Sequence, residues 1–233
     1  MKNIALILSG GVGSRMGLNI PKQYVIVNNQ PILNYCLSTF LENDIVDALV
    51  IVVATEWLDF VKEHLAKLNP QKPIFYANPG ETRQFSIYNG LNVIRENSFK
   101  DDDIVLIHDG ARPLLSHDLI NRCITSCKDV DGIMPVIPVK DTIYLSEDGV
   151  HIHTLLNRSY LWAGQAPEAF KFGKYIKAHD EMDKSELLKI TGSTEIAYKY
   201  GLNCQMIEGD PMNFKITTPE DLSNFESLLN ENI

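Results

Sequence analysis

The sequence has no long apolar run and no excess of basic residues. No apolar stretch approaches the roughly 20 residues of a membrane-spanning helix, so we expect no association with a membrane. Its 233 residues include 21 Lys and Arg against 30 Asp and Glu, a net charge of −9. That balance argues against a general nucleic-acid binder, because phosphate backbones attract basic faces. Any basic site in this chain must therefore be local.

Cysteine is also scarce, and its placement indicates neither a metal centre nor a disulfide framework. The four cysteines are scattered, and the closest pair, Cys123 and Cys127, lies in a predicted helix with no His or Cys cluster nearby. Buried, unreactive thiols account for them better than a metal site does. The chain begins on a strand pattern rather than a signal segment, and we expect a cytoplasmic protein.

Strand and helix patterns alternate along the chain up to residue 138. Continuous apolar, β-branched runs such as 49–53 are typical of buried parallel strands. The predicted strands are 4–8, 48–54, 74–77, 104–108 and 132–138, and the predicted helices are 31–41, 56–68, 82–94 and 117–127. This order predicts an α/β fold with a single doubly wound, mostly parallel sheet and helices on both faces. No linker or repeat interrupts it, so we expect one domain over residues 1–233.

The alternation breaks after Val139, where a protruding β-arm is predicted at about residues 139–158. Segments 141–145 and 150–155 have strand patterns and are joined through Asp148-Gly149, a strong hairpin signal. An antiparallel arm that leaves an α/β core has two edges to protect. We therefore expect the arm to pack on a second copy of the chain, giving a homodimer.

The first strand ends in a glycine-rich loop, Ser9–Arg15, with Pro21-Lys22 just beyond it. Glycines let a backbone turn tightly and present N–H groups to a ligand, and Arg15 and Lys22 add two cations. The pattern predicts a nucleoside triphosphate site, with a plain strand-to-helix turn as the alternative. It is not a Walker A loop, because no Lys-Ser or Lys-Thr follows, and Met16 occupies the third glycine position of a dinucleotide fingerprint.

Other candidate ligands follow the remaining strands, at the edge where parallel strands end. Asp109 follows the strand at 104–108; its place opposite a triphosphate loop favours a Mg²⁺ ligand over a helix cap. Arg112 and Arg158 are candidates to hold a second phosphate by forked hydrogen bonds, with surface salt bridges as the alternative. Lys215, on a short apolar strand before the last predicted helix at 219–229, either extends to solvent or pairs with an anion.

Taken together, these segments resemble the family of cytidylyltransferases that couple CTP to a polyol phosphate. The resemblance covers nearly the whole chain. The matching segments are GGVGSRM (10–16), PKQY (21–24), RQFSI (83–87), HDGARP (108–113), DTI (141–143), NR (157–158), GQAP (164–167) and KITTPEDL (215–222). The resemblance implies a Rossmann-like nucleotidyltransferase fold, CTP and a polyol phosphate as substrates, and Mg²⁺ as cofactor.

The resemblance also implies roles for residues on the nucleotide side. The residues implied to bind the nucleotide are Ser9, Gly10, Gly11, Gly13, Gly80, Ser86 and Gly110. Gly80 and Ser86 would recognise the cytosine ring. Arg15 and Lys22 would stabilise the transition state. Lys215, which the resemblance places in the pocket of the second substrate, completes the residues assigned to catalysis.

On the acceptor side the resemblance implies a pocket shared between subunits. The residues implied to bind the acceptor are Asp109, Arg112, Thr142, Arg158 and Thr191, with Asp109 also at the Mg²⁺. Thr142 and Arg158 would reach the neighbouring subunit's site from the exchanged arm.

Two departures from the family pattern fall near the expected acceptor. Thr191 is followed by Gly192 where the family has Asp, and the usual Gln-Thr-Pro-Gln is Gln165-Ala166-Pro167-Glu168. Ser9-Gly10-Gly11, Met16-Gly17 and the segment 180–188 favour the ribitol 5-phosphate branch over the 2-C-methyl-D-erythritol 4-phosphate branch. A sugar-phosphate nucleotidyltransferase and a catalytically silent nucleotide-binding regulator are the remaining alternatives.

Overall fold

The apolar runs of the sequence form the centre of one mixed sheet in the structure, a computed structural model that describes residues 1–11 and 20–231. The strands are β1 (Asn3–Leu8), β2 (Ile26–Val27), β3 (Gln30–Pro31), β4 (Ala48–Val52), β5 (Ile74–Ala77), β6 (Ile104–Asp109), β7 (Gly132–Pro138), β8 (Ile143–Leu145), β9 (Thr154–Leu156), β10 (Trp162–Gly164), β11 (Glu168–Lys171) and β12 (Cys204–Glu208). Within the described residues the main sheet has eight strands in the order β10-β7-β11-β6-β1-β4-β5, with β12 paired to β7.

The parallel centre of the sheet brings the candidate loops to one edge. β1 lies between β4 and β6 and is parallel to both, with Leu8 in register with Val52 on one side and Asp109 on the other. β5 continues the parallel set beyond β4. Because these strands point the same way, their carboxyl ends meet at the same edge. The predicted parallel core is therefore confirmed.

Antiparallel strands that the sequence did not predict complete the sheet. β11 inserts between β6 and β7 and is antiparallel to both, and β10 is antiparallel to β7. β12 pairs with β7 in parallel. β10 and β11 are three and four residues long, too short to show a periodic pattern.

Helices cover both faces of the sheet, as predicted. They are α1 (Ile32–Glu42), α2 (Leu58–Ala66), α3 (Arg83–Glu96), α4 (His117–Ser126), α5 (Phe172–Glu181), α6 (Lys184–Leu187), α7 (Ser193–Lys199) and α8 (Pro219–Glu231). The apolar faces of α1, α2 and α4 form one buried cluster, and those of α3, α5 and α7 form another. Cys123 and Cys127 are buried free thiols, as expected. None of the helices in the described ranges is long and apolar enough to cross a membrane.

The arm is a hairpin, but its second strand starts later than predicted. β8 pairs with β9, whereas residues 150–153, expected to be strand, lie in the connecting loop. The cause is local: the Asp148 carboxylate accepts hydrogen bonds from the backbone N–H groups of Val150 (2.9 Å) and His151 (2.8 Å). Side-chain bonds of this kind compete with strand pairing. Gly149 has φ +73°, which is the conformation expected at an Asp-Gly turn.

Candidate active site

The carboxyl edge of the parallel strands contains a cavity of about 430 Å³. This volume lies within the usual range of about 300–1,000 Å³ for small-molecule sites. Its lining residues are Leu8, Gly10, Gly11, Lys22, Gln23, Gly80, Glu81, Thr82, Arg83, Ser86, Asp109, Ala111 and Lys215. The structure thus brings together residues from the glycine loop, the Lys22 turn, the start of α3, the end of β6 and the segment before α8.

Asp109 is the electrostatic centre of this cavity. Its Oδ1 accepts hydrogen bonds from Arg83 Nη2 (3.2 Å) and Nε (3.3 Å), and its Oδ2 accepts one from Lys215 Nζ at 3.0 Å. Arg112 Nε lies 3.5 Å from Oδ2. Burial alone would raise the pKa of Asp109, but the three cations hold it well below its usual range. The carboxylate therefore stays ionised and orders the cations around it.

Arg112 and Lys215 belong to two loops that the structure joins. Arg112 Nη1 donates to Asn213 O at 2.8 Å, and Ile216 N donates to Ala111 O at 2.9 Å. Lys215 lines the cavity, whereas the Arg112 side chain is only 12% exposed and is not among the lining residues. The short strand expected at Lys215 is absent: this segment is irregular, and its backbone is held by the loop after β6.

The glycine loop is described only up to Gly11; Gly13 and Arg15 lie outside the described residues. Gly10 and Gly11 line the cavity, and a Cβ on Gly10 would come within 2.5 Å of Pro79. Ser9 is 1% exposed, and both its N–H (2.9 Å) and its Oγ (2.7 Å) donate to Val52 O. Ser9 thus ties the start of the glycine loop to the end of β4.

Gly80 and Ser86 lie together on the cavity wall. Gly80 N donates to Ser86 Oγ at 3.0 Å, and Ser86 Oγ donates to Thr82 O at 2.9 Å. A Cβ on Gly80 would lie 2.4 Å from Phe85 Cβ, so only glycine fits there. Gly110 is not among the lining residues, and its N–H donates to Leu8 O at 2.9 Å.

Three residues expected at the acceptor lie away from this cavity within one chain. Thr142 and Arg158 line a separate depression of about 360 Å³ on the arm, together with Leu155, Leu156 and Asn157. None of these residues is among those that line the first cavity. Thr191 is exposed, and its N–H (2.9 Å) and Oγ1 (3.2 Å) donate to Glu195 Oε2 before α7.

A series of polar side-chain contacts links Asp109 to β11, and the sequence did not predict it. Arg83 Nη1 donates to Ser193 Oγ at 2.6 Å, and the next residue, Thr194, donates through Oγ1 to Glu168 Oε2 at 3.0 Å. Burial raises the pKa of Glu168, although the positive charge of Arg83 opposes the shift. The place of Arg83 after a strand end was a usable signal. Glu168 stood out only as a departure from the family pattern, and Ser193 offered no signal, because the contacts of both residues join distant segments.

The fold and the cavity define a class of protein: an α/β protein with a cavity at the carboxyl edge of its sheet, lined by a glycine loop and basic side chains. The chain belongs to the family described as "IspD: 2-C-methyl-D-erythritol 4-phosphate cytidylyltransferase", whose sequence model matches residues 3–231. It is therefore a CTP-dependent polyol-phosphate cytidylyltransferase, a nucleotidyltransferase by reaction.

Relatives with two different acceptors resemble the chain to a similar degree. It is 38% identical to 2-C-methyl-D-erythritol 4-phosphate cytidylyltransferase of Clostridium beijerinckii, over 94% of each chain. It is 35% identical to ribitol-5-phosphate cytidylyltransferase of Vibrio parahaemolyticus, over 97% of this chain and 95% of the relative. The solved structure of the Francisella tularensis 2-C-methyl-D-erythritol 4-phosphate cytidylyltransferase superposes with a TM-score of 0.81 at 30% identity, covering 97% of this chain and 100% of that one.

Proposed function

We propose that this enzyme transfers CMP from CTP to ribitol 5-phosphate and releases pyrophosphate. The observation that carries the proposal is the cavity beside the glycine loop, which is lined by Lys22, Lys215 and Arg83 and in which Lys215 and Arg83 contact Asp109. An acceptor phosphate and a triphosphate repel each other, and fixed cations offset that repulsion where charge develops. This arrangement explains a local basic site in a chain with net charge −9.

The reaction is an in-line attack by an acceptor phosphate oxygen on the α-phosphorus of CTP. The acceptor phosphate is already an anion at neutral pH, so no covalent enzyme intermediate is needed. The work of the protein is to hold two anions in line and to stabilise the charge that builds up. We assign Lys22 and Lys215, with Arg15, to that stabilisation, and Gly80 and Ser86 to the cytosine ring. Gly10 and Gly11 would contact the triphosphate.

Mg²⁺ fits this cavity as the counter-ion of the triphosphate rather than as an ion held by protein alone. Residues 1–11 and 20–231 contain no group of three or more His, Cys, Asp and Glu side chains able to hold a metal. Both oxygens of Asp109 already contact cationic side chains. Mg²⁺ commonly takes one carboxylate together with phosphate oxygens and water, and Asp109 is the residue that would supply the carboxylate. The ion would add positive charge to the phosphates when bound.

The acceptor is decided by direct competition. With CTP and Mg²⁺, we expect a higher kcat/KM for ribitol 5-phosphate than for 2-C-methyl-D-erythritol 4-phosphate, measured as pyrophosphate release, with the CDP-polyol identified by mass. The expectation rests on Ser9-Gly10-Gly11, Met16-Gly17 and the segment 180–188. UTP serves as the control nucleotide. A preference for 2-C-methyl-D-erythritol 4-phosphate, the acceptor named for the family and for the Clostridium relative, would assign the enzyme to the other branch.

We also propose a homodimer in which the arm at about 139–158 completes the partner's site. Large apolar side chains are exposed on the arm and beside its base; they include Tyr144 (55%), Leu145 (45%), Val150 (80%), Ile152 (66%), Leu155 (62%) and Trp162 (49%). A second copy of the chain would cover this surface. Thr142 and Arg158 share no cavity with Asp109 within one chain, so a partner's site is where they would act.

Mixing two inactive variants tests the shared site. A Lys22→Ala chain and an Arg158→Ala chain should each be inactive alone and complement each other after subunit exchange. In the mixed dimer one site receives both wild-type residues and the other neither, so activity of up to about half of wild type per mixed dimer is expected. The measurement is turnover after co-refolding or prolonged mixing, with exchange followed by differently tagged chains.

A matched mixture controls for non-specific rescue. Lys22 and Lys215 line the same cavity of one chain, so Lys22→Ala mixed with Lys215→Ala leaves no site with both residues and should remain inactive. A monomer by sedimentation, or no rescue of the Lys22 and Arg158 pair despite proven exchange, would rule out the shared site.

A further inference from the structure

Three consecutive residues at the edge of the cavity point in three directions. Lys22–Tyr24 is a 3₁₀ helix, in which successive side chains project about 120° apart. Lys22 lines the cavity, and Tyr24 enters the core, where its ring stacks on Trp57 with centroids 4.7 Å apart. Gln23, only 4% exposed, also lines the cavity and extends towards the start of the glycine loop at Ser9.

The NH₂ group of Gln23 donates both of its hydrogens to that loop. Its Nε2 donates to Ser9 O at 2.6 Å and to Gly11 O at 2.7 Å, which accounts for both hydrogens of the NH₂ group. Tyr24 Oη donates to Ser9 O as well, at 2.7 Å. A carbonyl oxygen held in this way cannot turn towards a bound anion, and a loop that binds phosphate must present N–H groups instead.

We propose that Gln23 is a positioning residue for nucleotidyl transfer: its NH₂ group holds the carbonyl oxygens of Ser9 and Gly11, at the start of the glycine loop, away from a bound anion and ties Lys22 to this segment. The inference rests on the proposed function, because it takes CTP as the ligand of the loop. Gln23 acts through Ser9, Gly11 and Lys22 rather than on the reacting atoms. The geometry gives it a role that neither composition nor strand pattern indicates.

Gln23→Glu is the sharpest test, because it keeps the shape of the side chain and replaces the donor group by a carboxylate oxygen. That oxygen would face two carbonyl oxygens at hydrogen-bond distance and would repel the triphosphate. We expect kcat/KM for CTP to fall by roughly 100-fold or more, with the KM of the acceptor within about twofold of wild type. Gln23→Met, which removes the donors without adding charge, should lose roughly 10-fold.

A buried amide elsewhere provides the matched control. Asn34 is 3% exposed and its Nδ2 donates to His64 O at 3.0 Å, outside the cavity. Asn34→Asp makes the same chemical change, so it should lower the melting temperature without changing kcat/KM for CTP. A second readout is the rise in melting temperature on adding CTP with Mg²⁺, which should shrink in both Gln23 variants and persist in Asn34→Asp.

The outcomes separate this inference from the proposed function. If wild type turns over CTP and folded Gln23→Glu or Gln23→Met does so equally well, the positioning role of Gln23 is wrong. The inference would also be overturned if kcat/KM for CTP fell in proportion to the melting temperature in all variants, so that Asn34→Asp lost as much as the Gln23 variants. If wild-type protein neither turns over CTP nor is stabilised by it, the proposed function fails first. Should Gln23→Glu not fold, Gln23→Met carries the same comparison.

Discussion

Replacing Lys22 by alanine is expected to lower kcat by roughly 100- to 1,000-fold, with a much smaller effect on the Kd of CTP. Lys22 lines the cavity beside the glycine loop, where negative charge increases on the α-phosphate during transfer. A cation placed there stabilises the transition state more than the bound substrate, so its removal is seen mainly in turnover. Single-turnover rates and CTP titrations on the same preparation measure the two effects separately.

Lys67→Ala is the matched control for this variant. Lys67 is an exposed lysine on the surface, paired with Glu63 at 3.1 Å, and its loss should leave turnover unchanged. A Lys22→Ala enzyme with near-normal kcat would remove Lys22 from the catalytic assignment. A loss that appears only as weaker CTP binding would make it a ground-state ligand instead.

Asp109→Asn is expected to remove most activity and to destabilise the protein. The carboxylate is only 11% exposed and holds Arg83, Lys215 and Arg112 within 3.0–3.5 Å, so its neutralisation leaves three clustered cations without their counter-charge. Removing one partner of a buried ion pair costs about 3–5 kcal/mol; the lower end applies here, because Arg83 and Lys215 remain partly in contact with solvent. We expect kcat/KM to fall by roughly 100-fold or more, since the cations lose their positions.

The pH dependence of stability gives an independent check on Asp109. Its pKa in the folded protein lies below the value of about 3.9 in the unfolded chain. Its contribution to stability is therefore complete above about pH 5 and is lost as the pH falls towards the folded-state pKa. The difference in unfolding free energy between wild type and Asp109→Asn, from urea titrations, should be constant from about pH 7 to 5 and shrink below about pH 4. Asp118→Asn, at an exposed pair with Arg122, should show little difference at any pH.

The pattern of apolar residues was sufficient for most of the core. The predicted strand 74–77 and the strand 132–138 have the bounds seen in β5 and β7, and the predicted helices agree with α1 to α4 within a few residues. The buried faces of these elements are long enough for their apolar residues to recur at a regular spacing in the sequence. β11 was not predicted, because a strand of four residues acquires its place from β6 and β7 on either side of it. β10 and β12 were not predicted either, and the structure pairs each of them with β7.

The residues of the candidate site also fall into two groups: those that could be predicted from the sequence and those that could not. Lys22, Gly80, Asp109 and Lys215 could be predicted as site residues from their motifs and from the family resemblance, and all four line the cavity. The roles of Gln23, Ser193 and Glu168 could not be predicted. Their importance lies in contacts with segments far away in sequence, as in the bond between Thr194 and Glu168.

The sequence by itself determined an α/β protein with a parallel core, a glycine loop with neighbouring cations, and membership of a cytidylyltransferase family. These are local properties, since periodicity and motifs are read within short windows. Only the tertiary structure decided that Asp109 contacts three cations, that Gln23 bonds to the carbonyl oxygens of Ser9 and Gly11, and that Thr142 and Arg158 lie outside the cavity of their own chain. The physical reason is that hydrogen bonds and charge interactions depend on distances of a few ångströms between residues that the fold, rather than the order of the chain, brings together.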